Sequence, residues 1–411
     1  MFKRLLYSIC AVALLAGCQS GNSHRGGSTH SDYTFIIYAV ADNNLWSYLR
    51  RNVEAAKQYV ATGLPDNARV LIYWDGQREY FGEKLPMLTE LVCEDGQAVE
   101  YSLKKYDDQN SADPAVMRQV LSDAQSFAPA ESYGISLLAH GTGWFPPELV
   151  DLRQPVSGST HMEHDLRRPE DALTRAYGPD GTEYMSVEDL AQGLQQIDFD
   201  YVIFDLCFMS SIEALYALRD VAPYIMASPT EVMGAGIPYD RMLPIVLDTN
   251  LSVRDRLVKA AEDIVAYYDV QTYPSAAFTV IDTKWLPKVA DAVKAIFEGD
   301  TTAPDLEAIQ ELEILQEHAF FDLTSYLRNI TEDSSDAARM AFADFEATLA
   351  ETVIYQKHTP QIYSALGTGG GAYFDATDMC GVSSYIPRDW LPVTRAAYYA
   401  TEWGQYTQPQ Q

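Results

Sequence analysis

Along the chain, short runs of apolar, β-forming residues alternate with longer stretches whose apolar positions recur every three or four residues. This alternation predicts strands that each lead into a helix. Residues 33–40 form the first run and 45–60 the first helical stretch, across a turn containing Asp42, Asn43 and Asn44. Residues 69–74 repeat the strand signal and stop at the turn pair Asp75-Gly76. Two further pieces, 87–93 and 98–103, are split by Glu94-Asp95-Gly96 and predict a hairpin. Asp113-Pro114 opens a helix through 127, with Asp as cap and Pro in the first turn.

Two runs differ from the rest. Residues 133–139 are almost continuously apolar and lead straight into His140-Gly141; residues 200–205 lead in the same way into Leu206-Cys207. Runs without polar alternation are buried on both faces, so the pattern predicts an α/β fold with a mainly parallel sheet flanked by helices. Ligands in such folds bind beyond the C-terminal ends of the strands, which puts His140 and Cys207 at one rim. Between them, 145–184 has no sustained period and reads as a long loop. A capped helix follows at 186–194, then a helix at 211–220, a strand at 224–227, and helices at 252–268 and 283–297 around a strand at 276–281. Residues 301–355 read as largely helical, and 382–386 as a late strand. A composition break near Asp300 separates an α/β region, 32–300, from a mainly helical region, 301–411, that completes the fold.

The first residues stand outside this pattern. Lys3 and Arg4 precede the apolar stretch 5–15, which ends at Leu15-Ala16-Gly17-Cys18. That ending resembles a bacterial lipobox, so 1–18 is expected to be a leader whose cleavage leaves Cys18 as a lipid-bearing N-terminus. Residues 19–31, rich in Ser, Gly, Asn and His, would then be a flexible tether to the membrane. Gln19 is not the acidic residue expected for inner-membrane retention, which favours the outer membrane of the cell envelope.

At 411 residues and 47% hydrophobic content, the chain can bury a full core. Its formal charge of -29 excludes nucleic acid as a natural partner and would attract basic polypeptides. Of its five cysteines, Cys10 leaves with the leader and Cys18 carries lipid, so Cys93, Cys207 and Cys380 remain. An odd number leaves one thiol free. Cys93 and Cys380 are then either a bridge or two small buried hydrophobes.

A thiol becomes a strong nucleophile where its thiolate is favoured, by an imidazole or by a helix N-terminus. Cys207 is expected to have both: His140 on a neighbouring strand end, and a helix starting directly after the cysteine. Backbone amides of Gly141 and Cys207 would stabilise the oxyanion of an attacked amide. Singly, each residue reads as an ordinary core or loop position; the pair, each closing an apolar strand, reads as chemistry. His161 and His164 in the long loop have metal-like spacing without supporting ligands and read as solvated, so no metal is expected.

These segments also resemble the clostripain family of cysteine peptidases. Ile135-Ser-Leu-Leu-Ala-His140-Gly-Thr-Gly-Trp144 is similar to its histidine motif, and Tyr201-Val-Ile-Phe-Asp-Leu-Cys207-Phe-Met-Ser-Ser-Ile-Glu-Ala to its Asp-x-Cys motif. Further matches are Ala227-Ser-Pro-Thr-Glu231, Gly236-Ile-Pro-Tyr-Asp240, Phe278-Thr-Val-Ile-Asp282 and Gly381-Val-Ser-Ser-Tyr-Ile-Pro387. The resemblance implies a caspase-like sheet and a His140/Cys207 dyad that cleaves polypeptides after Arg or Lys. Asp205 would floor the pocket for the basic side chain, with Thr230 and Glu231 as walls. It also implies an inactive precursor clipped between the motifs, where Arg153, Arg167, Arg168 and Arg175 offer sites. Calcium dependence occurs in parts of that family; Asp180 and Glu183 around Gly181 supply carboxylates, but not the ligand spacing of a calcium loop. The alternative is a catalytically inactive peptidase-fold lipoprotein that binds peptides or glycans. An α/β-hydrolase is disfavoured, because Asp205-Leu-Cys-Phe-Met209 lacks the glycines of a nucleophile elbow.

Overall fold

The computed structural model describes residues 30–76, 85–145, 184–366 and 371–408. The strands are β1 (Ser31–Val40), β2 (Ala68–Asp75), β3 (Met87–Glu94), β4 (Gln97–Lys105), β5 (Ala130–Leu138), β6 (Tyr201–Asp205), β7 (Tyr224–Ala227), β8 (Ala277–Asp282), β9 (Phe321–Asp322), β10 (Val353–His358), β11 (Gln361–Ser364), β12 (Ala372–Asp375) and β13 (Ser383–Ser384). Nine of them form one sheet in the order β10-β8-β7-β6-β5-β1-β2-β3-β4. The central run β2-β1-β5-β6-β7 is parallel, and antiparallel strands flank it on both sides. β2 and β6 are buried throughout and β1, β5 and β7 along most of their length, which is why their sequences read as nearly unbroken apolar runs.

Helices cover both faces. Trp46–Val60, Tyr239–Val246 and Val253–Asp269 pack together on one, and Pro114–Phe127 packs with Val187–Leu194 on the other. In β5, Ser136 Oγ meets Tyr239 OH while its neighbour Leu137 lines a cavity with Met117 and Val187, as strand alternation requires. Register fixes the rim: Ala39 of β1 pairs with Leu138 of β5, which pairs with Asp205 of β6. The loops that follow these residues therefore leave the sheet side by side.

Local chemistry sets most boundaries as the sequence implies. Asp113 accepts from the Ala115 N–H and Ser186 from the Asp189 N–H, each capping its helix. Asp95 and Gly96 take positive φ in the β3–β4 turn. Ser31 lies in β1, outside the expected tether.

Beyond residue 300 the pattern departs from expectation. The stretch 301–355 is not continuously helical: helices Leu323–Thr331 and Asp336–Thr352 are preceded by irregular backbone. The buried Glu313 carboxylate organises that backbone, accepting from the N–H groups of Leu315, Ala319 and Phe320. The stretch ends in β10, where Val353 and Tyr355 pair against β8 at the sheet edge, with the register shifting between them; tertiary pairing overrides the helical period. The late strand shrinks to two residues, Ser383–Ser384. Helices Tyr239–Val246, Pro392–Ala400 and Glu402–Thr407 and the β11–β12 pair carry no signal strong enough to be read beforehand. Among the described residues, no helix is long and apolar enough to cross a membrane.

Candidate active site

Cys207 follows β6 but does not open a helix. It lies in a turn, and the helix expected over 211–220 comprises only Ile212–Ala217, so the expected helix N-terminus at the sulfur is absent. The cause is Phe208, which takes a left-handed φ of 60° and breaks any helical continuation. That conformation costs on the order of 1–3 kcal/mol. It is offset by the Phe208 ring stacked on Phe320, with centroids 4.1 Å apart and planes 5° from parallel. The turn is pinned to the segment after β7, with Phe208 N–H donating to Thr230 O at 3.0 Å and Ser210 N–H to Ser228 O at 2.9 Å. The sulfur instead accepts from the Val232 N–H at 3.1 Å. The thiol also donates to Val232 O at 3.7 Å, so both backbone groups of one residue hold the sulfur.

His140 follows β5, and its Nε2 lies 2.7 Å from Oδ1 of Asn44, in the loop after β1. Gly141 brings the two motifs into contact. A Cβ there would stand 2.4 Å from Cys207 O, 2.8 Å from Cys207 N and 2.8 Å from Leu206 Cβ. A Cβ on Gly143, at φ 61°, would stand 2.8 Å from Phe208 O, so the histidine loop rests directly on the cysteine turn. Among the described residues the Gly141 N–H donates to no protein group.

Asp205, two residues before Cys207, is completely buried, with both carboxylate oxygens 3.2 Å from the Ile237 N–H. Thr230 and Glu231 lie in the segment that carries Val232. Thr230 is buried and accepts from Phe208 through its carbonyl; the two Glu231 oxygens accept from the Ala365 N–H at 3.1 Å each. His140 and Gly141 themselves border a cavity of ≈ 110 Å³, together with Leu206, Met209, Met117 and Val187.

Cys93 and Cys380 are free thiols, not a bridge. Cys93 donates to Ala61 O at 3.5 Å and Cys380 to Val382 O at 3.3 Å, and burial pushes the Cys380 thiol well up. Among the described residues no group of three or more His, Cys, Asp or Glu could hold a metal ion. Cys18, Arg153, His161, His164, Arg167, Arg168, Arg175, Asp180 and Glu183 lie outside the described residues.

A buried thiol at a strand end, an adjoining histidine loop and a mainly parallel sheet together point to one family, and the model of the clostripain family, Peptidase C11, matches residues 37–154 and 164–388. The chain belongs to the clostripain family. It is therefore a cysteine-type peptidase, and polypeptides are its substrate class. An inactive zymogen C11 protease from Parabacteroides distasonis is similar in structure, with TM-score 0.76 and 27% identity over 92% of this chain and 99% of that one. A secreted C11 cysteine protease from Bacteroides thetaiotaomicron, solved with an irreversible peptide inhibitor, gives 0.75 at 24% identity over 92% and 99%. A B. fragilis cysteine protease gives 0.50 at 27% identity over 56% and 96%. No curated protein matches the chain.

Three contacts around these side chains have no counterpart in the sequence pattern: Asn44 against His140, Val232 against the sulfur, and Ile237 against Asp205. Asn44 had been visible only as part of a turn. The two backbone donors carry no side-chain signature at all.

Proposed function

We propose that this clostripain-family peptidase cleaves polypeptides after Arg or Lys, with Cys207 as nucleophile and His140 as its proton partner. The observation that carries the reading is the backbone contact between His140-Gly141 and Leu206-Cys207 beside the buried Asp205. His140 takes the thiol proton as sulfur attacks the carbonyl carbon of the scissile bond. The amides of Gly141 and Cys207 receive the oxyanion. His140 then returns the proton to the leaving amine, and water hydrolyses the thioester.

Asp205 supplies the charge that recognises the basic side chain, with Thr230 and Glu231 shaping the pocket. Its complete burial suits a precursor whose pocket opens on processing, and the Parabacteroides distasonis relative is itself an inactive zymogen. Self-cleavage after Arg153, Arg167, Arg168 or Arg175 would supply that processing. Export and lipidation at Cys18 would hold the enzyme at the outer membrane; calcium is left as an additive to vary in the assay.

A fluorogenic peptide panel varying only the residue before the cleaved bond tests the reading. Arg and Lys substrates should exceed norleucine by more than about tenfold, and Asp205→Asn, which keeps the acceptor for Ile237 N–H, should erase that margin. Equal turnover of uncharged substrates by the wild type would remove the role of Asp205. Incorporation of labelled palmitate, lost in Cys18→Ala, tests the anchor.

A further inference from the structure

We propose that Asn44 is the positioning residue for His140, so that the reaction centre is a chain of three side chains. This rests on the Cys207/His140 reading and extends it. Asn44 Oδ1 lies 2.7 Å from His140 Nε2, a short bond for a neutral pair. Its partner is on a different strand end: β1 and β5 are adjacent and in register up to Ala39 and Leu138, so their loops emerge together.

The loop that presents Asn44 is itself fixed. Asn43 Nδ2 donates to Val40 O at 2.9 Å, Asn43 Oδ1 accepts from the Leu45 N–H at 2.9 Å, and Asn43 O accepts from the Trp46 N–H at 3.3 Å. Leu45 is fully buried and starts the helix that packs beneath. One asparagine therefore locks the turn while the next faces the imidazole.

The chemistry follows from what an amide oxygen can do. It only accepts, so Nε2 must carry a proton, and the neutral ring is basic at Nδ1. Proton exchange with Cys207 then falls to Nδ1: the Sγ proton moves to Nδ1 while the Nε2 proton stays on Asn44. The imidazolium so formed keeps the same partner, now in a charge-assisted bond. The reverse amide orientation would put the ring proton on Nδ1 and leave nothing to accept from the thiol. An amide orients the ring without adding a charge beside it.

Asn44 is exposed, and among the described residues its side chain makes this bond alone, so its replacement removes the contact with little effect on folding. The test is steady-state kinetics across pH on purified full-length Asn44→Ala and Asn44→Asp, with Cys207→Ala and His140→Ala alongside. The expected result for Asn44→Ala is a kcat lower by about 10- to 100-fold with KM nearly unchanged. Asn44→Asp should recover much of the rate, with the limb governed by His140 displaced to higher pH. If both Asn44 variants stay within about threefold of wild type with an unmoved pH profile, while the Cys207 and His140 variants are inactive, Asn44 has no such role and the dyad stands. Activity surviving in Cys207→Ala or His140→Ala would overturn both readings together.

Discussion

Replacing Gly141 with Ala probes the spacing on which the whole site depends. Gly141 is not among the residues at positive φ, so alanine meets no backbone penalty there, and its N–H is retained. The effect is purely steric. The new methyl would stand 2.4 Å from Cys207 O, where ordinary contact begins at 3.4 Å, so the histidine loop and the cysteine turn must separate by about 1 Å. Overpacking of this kind costs roughly 1–3 kcal/mol, a drop of a few degrees in Tm. The same displacement moves His140 relative to Cys207, and a misplacement near 1 Å can lower the rate on the order of 100-fold. The assay pairs thermal unfolding with kcat/KM on an Arg substrate. Gly63→Ala is the control: it sits at φ 102° with nothing within 4 Å, so it should lose stability through backbone strain and keep full activity. A Gly141→Ala enzyme within about threefold of wild-type kcat/KM would refute the reasoning.

Further outcomes follow from the same geometry. Glu213 is buried, accepts from Ser384 OH at 3.0 Å and the Tyr385 N–H at 2.8 Å, and burial pushes its carboxyl up to about 7. Its folded pKa lies above the unfolded one, so its share of stability is full below about pH 4.5 and is lost as pH rises through 7. Glu213→Gln should therefore flatten the pH dependence and gain up to about 3 kcal/mol over wild type at pH 8, read by denaturant unfolding; identical profiles would exclude the assignment. Arg69 forms a bidentate pair with Glu90 at 2.7 Å, both buried. Arg69→Met should cost about 3–5 kcal/mol in chemical denaturation, and adding Glu90→Leu should recover most of it. On a gel, wild-type protein should split within 146–183 while Cys207→Ala stays intact; intact chains in both would count against self-processing.

Much of the site was legible because its signals are local. A buried parallel strand needs an unbroken apolar run, so the ends of β5 and β6, and with them His140 and Cys207, were marked by where those runs stop. The hairpin turn and the caps at Asp113 and Ser186 were marked equally well, since one or two side chains decide them. The helix after Cys207 misled: residues 211–220 have helical spacing, yet the left-handed Phe208 is held by a stack with Phe320, more than a hundred positions away.

The amino-acid order alone thus determined that an imidazole and a thiol would close two buried strands at one sheet rim, because hydrophobic period and strand polarity are carried by neighbouring residues. Only the tertiary structure decided what touches them. Asn44 at the imidazole comes from the loop after β1, while the Val232 amide at the sulfur and the Ile237 amide at Asp205 come from the loop after β7, almost two hundred positions on. Two of the three are backbone groups that every residue but proline carries, so no side-chain pattern could single them out.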